Sequence, residues 1–259
     1  MSSPITTELV KELRDATGIS IMQCKRALEE AEGDMKKALA ILKKTSSDIA
    51  LKKAGRETKD GAVTIKDGNK KSVLVSLHCE TDFVAKNTDF TSLLGALGDF
   101  ALVNGTEKMK EVAKDMIDPI IQKTGEKIEL GDAYEVTGGV LGNYVHNNKI
   151  GVIVSLTGGN KDLAKDIAMQ MAAMNPEYIS GEDVKEDAKT MMTEVFQKEV
   201  ASVDKPEEIK QKMLAGKLNT YFKERTLLEQ PFIKNPDETV GKLLEKAGAK
   251  IKETKRYSI

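Results

Sequence analysis

The sequence predicts an α+β fold: an N-terminal three-helix module, a duplicated α+β core with antiparallel sheets, and an inserted antiparallel helical hairpin. Three observations predict it. The apolar period is helical over residues 6–44, alternates from Gly61, and returns to helical after Pro176. The string Ser72-Val73-Leu74-Val75-Ser76-Leu77 recurs as Gly151-Val152-Ile153-Val154-Ser155-Leu156, and in each copy a helix follows that starts at an Asp, which marks an internal duplication. Two helix-period segments of similar length, 182–201 and 207–225, are joined by Ser202-Val203-Asp204-Lys205-Pro206. The expected division is 1–54 for the helical module, 55–139 for the first half of the core, 140–181 with 227–259 for the second half, and 182–226 for the hairpin.

Residues 6–44 read as three short helices. Thr7 to Ala16 carries Leu9, Val10 and Leu13, and Thr17-Gly18 ends it. Ser20 and Gln23 have the spacing of a capping box. The helix they open runs to about Glu32, with Cys24, Ala27, Leu28 and Ala31 on one face, and Gly33 stops it. Asp34 can cap a third helix bearing Ala38, Leu39 and Leu42. The Lys-rich, weakly apolar segment 43–59 reads as a linker ending in a short exposed helix. Ala62–Ile65 and Ser72–Leu77 alternate around Asp67-Gly68, a hairpin signal, and the second run reads as a half-buried strand. Helices are expected at Asp89–Leu102 and Glu107–Lys123, the second kinked or split by Pro119. Ile128–Leu130 and Tyr134–Val136 read as two short strands. Val140–Tyr144 and Ile150–Leu156 form another hairpin around His146-Asn147-Asn148-Lys149. In the paired helices, Val184, Ala188, Met191 and Val195 share one face, as do Ile209, Met213, Leu214, Leu218 and Tyr221. The final segment has a helix capped by Asp237 or Thr239 and a short strand near Ile251.

Composition narrows the function classes. Lys+Arg total 40 and Asp+Glu 41 in 259 residues, so no charge excess marks a nucleic-acid binder. Trp is absent, which disfavours a base-stacking platform. Cys24 and Cys79 are far apart and form no C-x-x-C, so they read as free thiols of a reducing compartment. No leader-like apolar run and no stretch of about 18 apolar residues occurs, so a cytoplasmic, non-membrane protein is expected. No phosphate-loop, dinucleotide, zinc-protease or nucleophile-elbow motif is present, so no catalytic residue, metal or cofactor is assigned. Asn160-Lys161-Asp162-Leu163 approaches the guanine-reading N-K-x-D pattern but has Leu where the Asp is needed. His78 and Cys79 are strand neighbours pointing to opposite faces, a poor metal pair.

The stretch Cys79-Glu80-Thr81-Asp82-Phe83-Val84-Ala85-Lys86-Asn87 is the strongest candidate site. Leu77 and Asp89 enclose eleven residues, whereas Leu156 and Asp162 enclose five, Thr157-Gly158-Gly159-Asn160-Lys161. The second copy closes without the extra length, so the excess in the first copy points to function. Phe83 within it either folds back onto the core or projects as a wedge for a partner.

Thr81-Asp82-Phe83-Val84-Ala85-Lys86-Asn87 resembles the signature of the elongation factor Ts family. The similarity extends to Leu9–Arg14 with Thr17-Gly18, to Cys24–Leu28, to Lys53-Ala54-Gly55-Arg56, to Tyr144 and His146, to Asn175-Pro176-Glu177, to Glu229–Phe232 and to Thr239–Leu244. The resemblance implies a guanine-nucleotide exchange factor for elongation factor Tu, with no cofactor and no enzyme chemistry. It implies that Thr81, Asp82, Phe83 and Val84 act at the Mg²⁺ region of that GTPase. Arg14, Ile21, Met22 and Gln23 would be the contact of a ubiquitin-associated-like N-terminal module, and His146 a contact near the phosphate loop. The hairpin resembles the family's coiled-coil arm, which meets the partner or a second copy, as in a homodimer or a 2:2 complex. Some members carry a further C-terminal helical module, whose contacts are not expected here because the sequence stops at Tyr257-Ser258-Ile259. The rival reading is a helical adaptor that uses residues 6–44 to dock peptides or ubiquitin-like folds, without exchange activity.

Overall fold

A computed structural model describes residues 5–259, apart from the Ala50 side chain. It is α+β, and its chain divides into two compact units. The first comprises the described residues up to 137, with 145–153 and 255–259, and the second residues 138–144 and 154–254.

The first unit opens with three helices, α1 (Thr7–Thr17), α2 (Ile21–Glu30) and α3 (Met35–Lys52). Their starts follow from local polar side chains: Thr6, Ser20 and Asp34 accept from the backbone N–H of Leu9, Gln23 and Lys37. The reciprocal capping box expected at Ser20 is not formed as such, because the Ser20 hydroxyl instead donates to Gln23 Oε1 at 2.9 Å. Val10, Leu13, Cys24, Leu28, Ala38 and Leu42 close a small apolar core. The segment expected as a linker is largely helical, since α3 runs on to Lys52. Its last turns bind a distant helix: the Ser46 hydroxyl donates to Gln122 (2.8 Å), the Ser47 hydroxyl to Asp118 (3.4 Å), and Ile49 packs on the main core.

The main sheet of this unit has the order β1 (Asp60–Asp67), β2 (Lys71–Cys79), β3 (Ile128–Thr137), with antiparallel pairing throughout. The expected pair of short strands after residue 127 is one strand, β3. Between Val75↔Ala133 and Leu77↔Leu130 the register shifts, leaving one extra β3 residue opposite Ser76. Gly131 permits this bulge, since a Cβ there would lie 2.4 Å from the Ser76 hydroxyl. One face of the sheet is covered by α5 (Thr88–Asn104) and α6 (Thr106–Thr124), through Phe90, Leu93, Leu97, Met109, Ile117 and Ile121. Pro119 does not split α6. Buried Ile117 and Ile121 on the core side, and Asp118 and Gln122 on the α3 side, hold both flanks in register and offset the missing N–H. β2 is not half-buried as expected, because Ser72–Leu77 is buried on both faces. Gly151 backs the second face, where a Cβ would lie 2.8 Å from Leu74 and 3.3 Å from Val63.

The second sheet has the order β4 (Val140–His146), β5 (Ile150–Thr157), β8 (Lys250–Ser258). The strand expected near Ile251 is therefore nine residues long. The β4–β5 turn passes through Asn147 (φ 49°) and Asn148 (φ 56°), a left-handed pair that Asn tolerates. In the second unit α7 (Lys161–Met174) buries Ala164, Ile167, Ala168 and Met171, and Gly142 allows the close approach of its backbone. The helix expected from Glu182 starts later. Ser180 donates its N–H and hydroxyl to the Asp183 carboxylate, which holds 181–183 as a 3₁₀ turn, and α8 is Glu186–Ala201. α9 is Glu207–Arg225, and Phe196 and Glu199 of α8 meet Tyr221 and Lys217 of α9. Met191, Val195 and Ile209 stay exposed. After a short hairpin, β6 (Pro231–Phe232) with β7 (Asn235–Thr239), α10 (Val240–Lys246) is capped by Thr239, one of the two expected residues. Among the described residues no helix is long and apolar enough to cross a membrane.

Candidate functional site

The site is the connection from β2 to α5, residues 80–87. Its base is fixed first. The buried Cys79 thiol donates to the Thr81 carbonyl at 3.2 Å. Burial, with the Glu126 and Asp60 carboxylates nearby, pushes that thiol up to about 12, so it is a neutral structural donor. Glu80 takes the Lys127 N–H (2.6 Å), the Arg56 guanidinium (2.8 Å) and Lys53 (3.5 Å). Burial favours its neutral form, but these donors hold its carboxyl below the usual carboxylate range. Thr81 is clamped by Glu126, which accepts its N–H at 3.1 Å and its hydroxyl at 2.6 Å.

On this base Asp82–Ala85 forms the single helical turn α4. Thr81 Oγ1 accepts from the Val84 N–H at 3.4 Å, the ordinary cap of a helix start. Ala85 is buried and Val84 packs against the main core, so the inner side of the turn is seated. The far end is tied as well: Asn87 Oδ1 accepts from the Asp89 N–H at 2.8 Å and begins α5. Between these anchors Phe83 points outward and is 83 % exposed, the highest value among the exposed large hydrophobics of the described residues. Asp82 pairs with Lys86 at 2.7 Å across the turn and holds that ammonium above its ordinary range. An aromatic ring left in water on a turn fixed at both ends has little conformational freedom left to lose.

The other sequence-predicted residues lie on two neighbouring turns. Ile21 and Met22, on the first turn of α2, are 53 % and 62 % exposed, Arg14 on α1 is exposed, and Gln23 is held to Ser20. The turn leading into them lies against α6, because a Cβ on Gly18 would fall 2.3 Å from Lys123 Nζ. Lys123 in turn pairs with Asp89 at 3.0 Å, one turn beyond the Phe83 stretch. His146 ends β4, is exposed and lies 3.3 Å from the Asn147 amide. Its turn reaches the same end of the main sheet: Lys149 donates to Asp60 and to the Gly61 carbonyl, and Asp60 is the register partner of Cys79. Asp60 is held below the usual carboxylate range by that Lys149 bond. Asn160 of the near-guanine motif has a plain structural use, since its Oδ1 caps α7 on the Leu163 N–H at 2.9 Å.

Sequence reasoning gave no role to Glu126, Lys127 and Arg56, the residues that hold the stretch. Only Gly125, left-handed at φ 66°, hints that the chain turns sharply just before Glu126. Nothing local connects Glu126 with Thr81, 45 positions away. Among the described residues no group of three His, Cys, Asp or Glu stands together to hold a metal.

The sequence profile of the family described as "Elongation factor TS" matches residues 80–259. The chain is 42 % identical over 265 residues to elongation factor Ts of Hahella chejuensis, covering 98 % of this chain and 92 % of that protein. It is 39 % identical over 267 residues to elongation factor Ts of Cellvibrio japonicus, with 99 % and 91 % covered. Against elongation factor Ts of Alcanivorax borkumensis the identity is 38 % over 264 residues, with 97 % and 93 % covered. With the profile spanning the signature stretch onward and the relatives spanning almost all of both chains, the protein belongs to the elongation factor Ts family of translation elongation factors.

Proposed function

We propose that this protein is the guanine-nucleotide exchange factor for elongation factor Tu and acts by non-covalent binding, not as an enzyme. The observation that carries the reading is Phe83, a bare ring on a clamped turn. An exchange factor shifts its GTPase toward the nucleotide-free form only by binding that form better than the loaded one. A rigid wedge does so, because it fits a cleft that is open without Mg²⁺ and phosphate in place and collides with the closed one. In this reading Thr81 and Val84 seat the turn, Phe83 enters the GTPase, and Asp82 perturbs the network that positions its Mg²⁺. Arg14, Ile21, Met22 and Gln23 supply a second contact from a ubiquitin-associated-like module, and His146 a third near the phosphate loop. The division into module, two core halves and hairpin at 54, 139, 181 and 226 belongs to the same reading, with α8 and α9 as a coiled-coil arm for the partner or a second copy.

The test is release of fluorescent GDP from elongation factor Tu on mixing with this protein. Accelerated release that depends on Phe83 supports the proposal. Unchanged release, with the protein nevertheless bound to some other peptide or folded domain through residues 6–44, would make it the adaptor instead. Sedimentation of the mixture reads 1:1 against 2:2 stoichiometry.

A further inference from the structure

We propose that the polar seam between α3 and α6 is a positioning element: it fixes the helical module on the core, so that the α1–α2 turn and the Phe83 turn meet one partner as a single rigid two-point contact. This rests on the reading of Ile21, Met22 and Phe83 as contacts of one GTPase, and it adds residues that lie outside both contacts.

The seam has helical spacing on both sides. Lys43, Ser46 and Ser47 fall at i, i+3 and i+4 along α3, and Asp115, Asp118 and Gln122 at i, i+3 and i+7 along α6, so each set shares one helix face. Ser46 donates to Gln122 at 2.8 Å, and Lys43 pairs with Asp115 at 2.7 Å. Lys114 joins the Ser47 hydroxyl (3.2 Å) to the Asp118 carboxylate (2.7 Å). Ser46, Asp118 and Gln122 are 1 %, 2 % and 4 % exposed. An apolar contact can slide at small cost, whereas buried polar partners lose their bonds when either helix shifts. The seam therefore sets one register.

Folding of the module is not what the seam supplies. Val10, Leu13, Cys24, Leu28, Ala38 and Leu42 close a core of their own, separate from the main core on which Ile49 packs. What the seam supplies is place. At one end, the turn before Ile21 lies against α6, with Gly18 beside Lys123, and Lys123 pairs at 3.0 Å with Asp89 in the first turn of α5. At the other end, the base of the Phe83 turn grips the chain that leaves α3. Glu80 takes Lys53 and Arg56, and Lys127 Nζ donates to the Ala54 (3.0 Å) and Arg56 (3.1 Å) carbonyls. A loosely tethered module would have to find its contact separately once the ring has entered. A fixed one presents both together and so gains effective concentration.

The test uses the full-length protein with Ser46→Trp, whose ring does not fit a position 1 % exposed, and Asp118→Ala as the milder break. Relaxation of ¹⁵N amides in the free protein reads the tumbling of module and core. Titration against elongation factor Tu loaded with fluorescent GDP reads the half-saturating concentration and the maximal release rate. The unaltered protein should show one correlation time for α1–α3 and the main sheet, and Ser46→Trp a distinctly shorter one for α1–α3. Its half-saturating concentration should rise about tenfold, with the maximal rate kept, because the Phe83 turn is intact. Met22→Ala should weaken the unaltered protein several-fold and the Ser46→Trp protein hardly at all, since the two contacts no longer act as a unit. Asp118→Ala should change the same quantities in the same direction by less, and it decides if Ser46→Trp does not fold. Separate tumbling in the unaltered protein, or common tumbling in folded Ser46→Trp, would overturn the seam as a positioning element. Separated tumbling with an unchanged half-saturating concentration would overturn the two-point contact, as would a Met22→Ala effect of equal size in both backgrounds. If the unaltered protein and Phe83→Ala alike leave GDP release unaccelerated, the proposed function fails and the two-point contact with it, while the relaxation arm still reads the docking.

Discussion

After β2 and after β5 the chain solves one problem in two ways. Both connections leave a buried strand and enter a helix through an asparagine cap, Asn87 before α5 and Asn160 before α7, each followed by an Asp in the first turn. The second connection is only Gly158-Gly159-Asn160. Both glycines are left-handed, φ 77° and 70°, and a Cβ on Gly158 would stand 2.3 Å from the Gly248 carbonyl. That is the short route, and it depends on residues without side chains. The first connection, 80–87, is longer and contains no glycine. Its extra length is not slack, because Glu80, Thr81, Ala85 and Asn87 are each bonded or buried. Chain closure therefore does not explain the additional residues. What they add is one exposed ring held still.

The largest effect that follows concerns the two phenylalanines of the first copy. Phe90, seven positions beyond Phe83, is fully buried between sheet and helices. Phe90→Ala should lower stability by about 3–5 kcal/mol, read by denaturant melts, and exchange should fall only through the unfolded fraction. Phe83→Ala should do the reverse. Its stability change should stay within about 0.5 kcal/mol. Loss of a central interface aromatic costs about 2 kcal/mol of partner binding, so GDP release from elongation factor Tu should slow roughly 30-fold. A Phe83→Ala protein that melts far lower and exchanges normally would return this ring to the core and remove the functional difference between the two connections.

The short connection offers the converse case. Gly158→Ala forces a Cβ into both a left-handed backbone and a neighbouring carbonyl, and should destabilise by about 1–3 kcal/mol. At a temperature where the variant is folded, GDP release should match the parent's. Slowed release from a fully folded Gly158→Ala protein would show that the second connection also serves the partner.

How much of this was readable in the sequence depends on the distance over which each cause acts. Helix starts at Thr6, Ser20, Asp34 and Thr239 follow from a side chain and an N–H three residues on, and such local chemistry is visible in the chain. The Asp residues read as the starts of the paired helices fall one place late, because an Asn two residues earlier takes the cap. The continuation of α3 to Lys52 was not readable, since the groups that hold it, Asp118 and Gln122, lie more than 70 positions away. The same holds for β2, whose second face is covered by Gly151 of the other hairpin. At the site, the surplus length after β2 was legible because the second copy supplied a ruler. Whether Phe83 turned inward or outward was not legible, since that depends on the Glu126 clamp and on the seating of Val84 and Ala85.

The smallest expected effect separates the roles of the two charges on the Phe83 turn. Lys86 and Asp82 pair at 2.7 Å with side chains 74 % and 48 % exposed. A pair so open to solvent is screened and contributes little to stability within one helical turn. Lys86→Ala should therefore leave the melting curve nearly unchanged. Its consequence for exchange depends on what the partner meets. In the proposed mechanism the Asp82 carboxylate is the active group, and Lys86 only occupies it in the free protein. Removing the ammonium then spares Asp82 the separation it would otherwise undergo, so GDP release should be equal to the parent's or up to about twofold faster. Asp82→Ala, with the carboxylate gone, should be slower. Higher salt should shrink the gap between the Lys86→Ala variant and the parent, because it screens the pair already. If Lys86→Ala instead slows release as much as Asp82→Ala does, the ion pair itself is what the GTPase recognises. The extra residues of the first copy would then present a paired surface rather than a wedge with a free acid beside it.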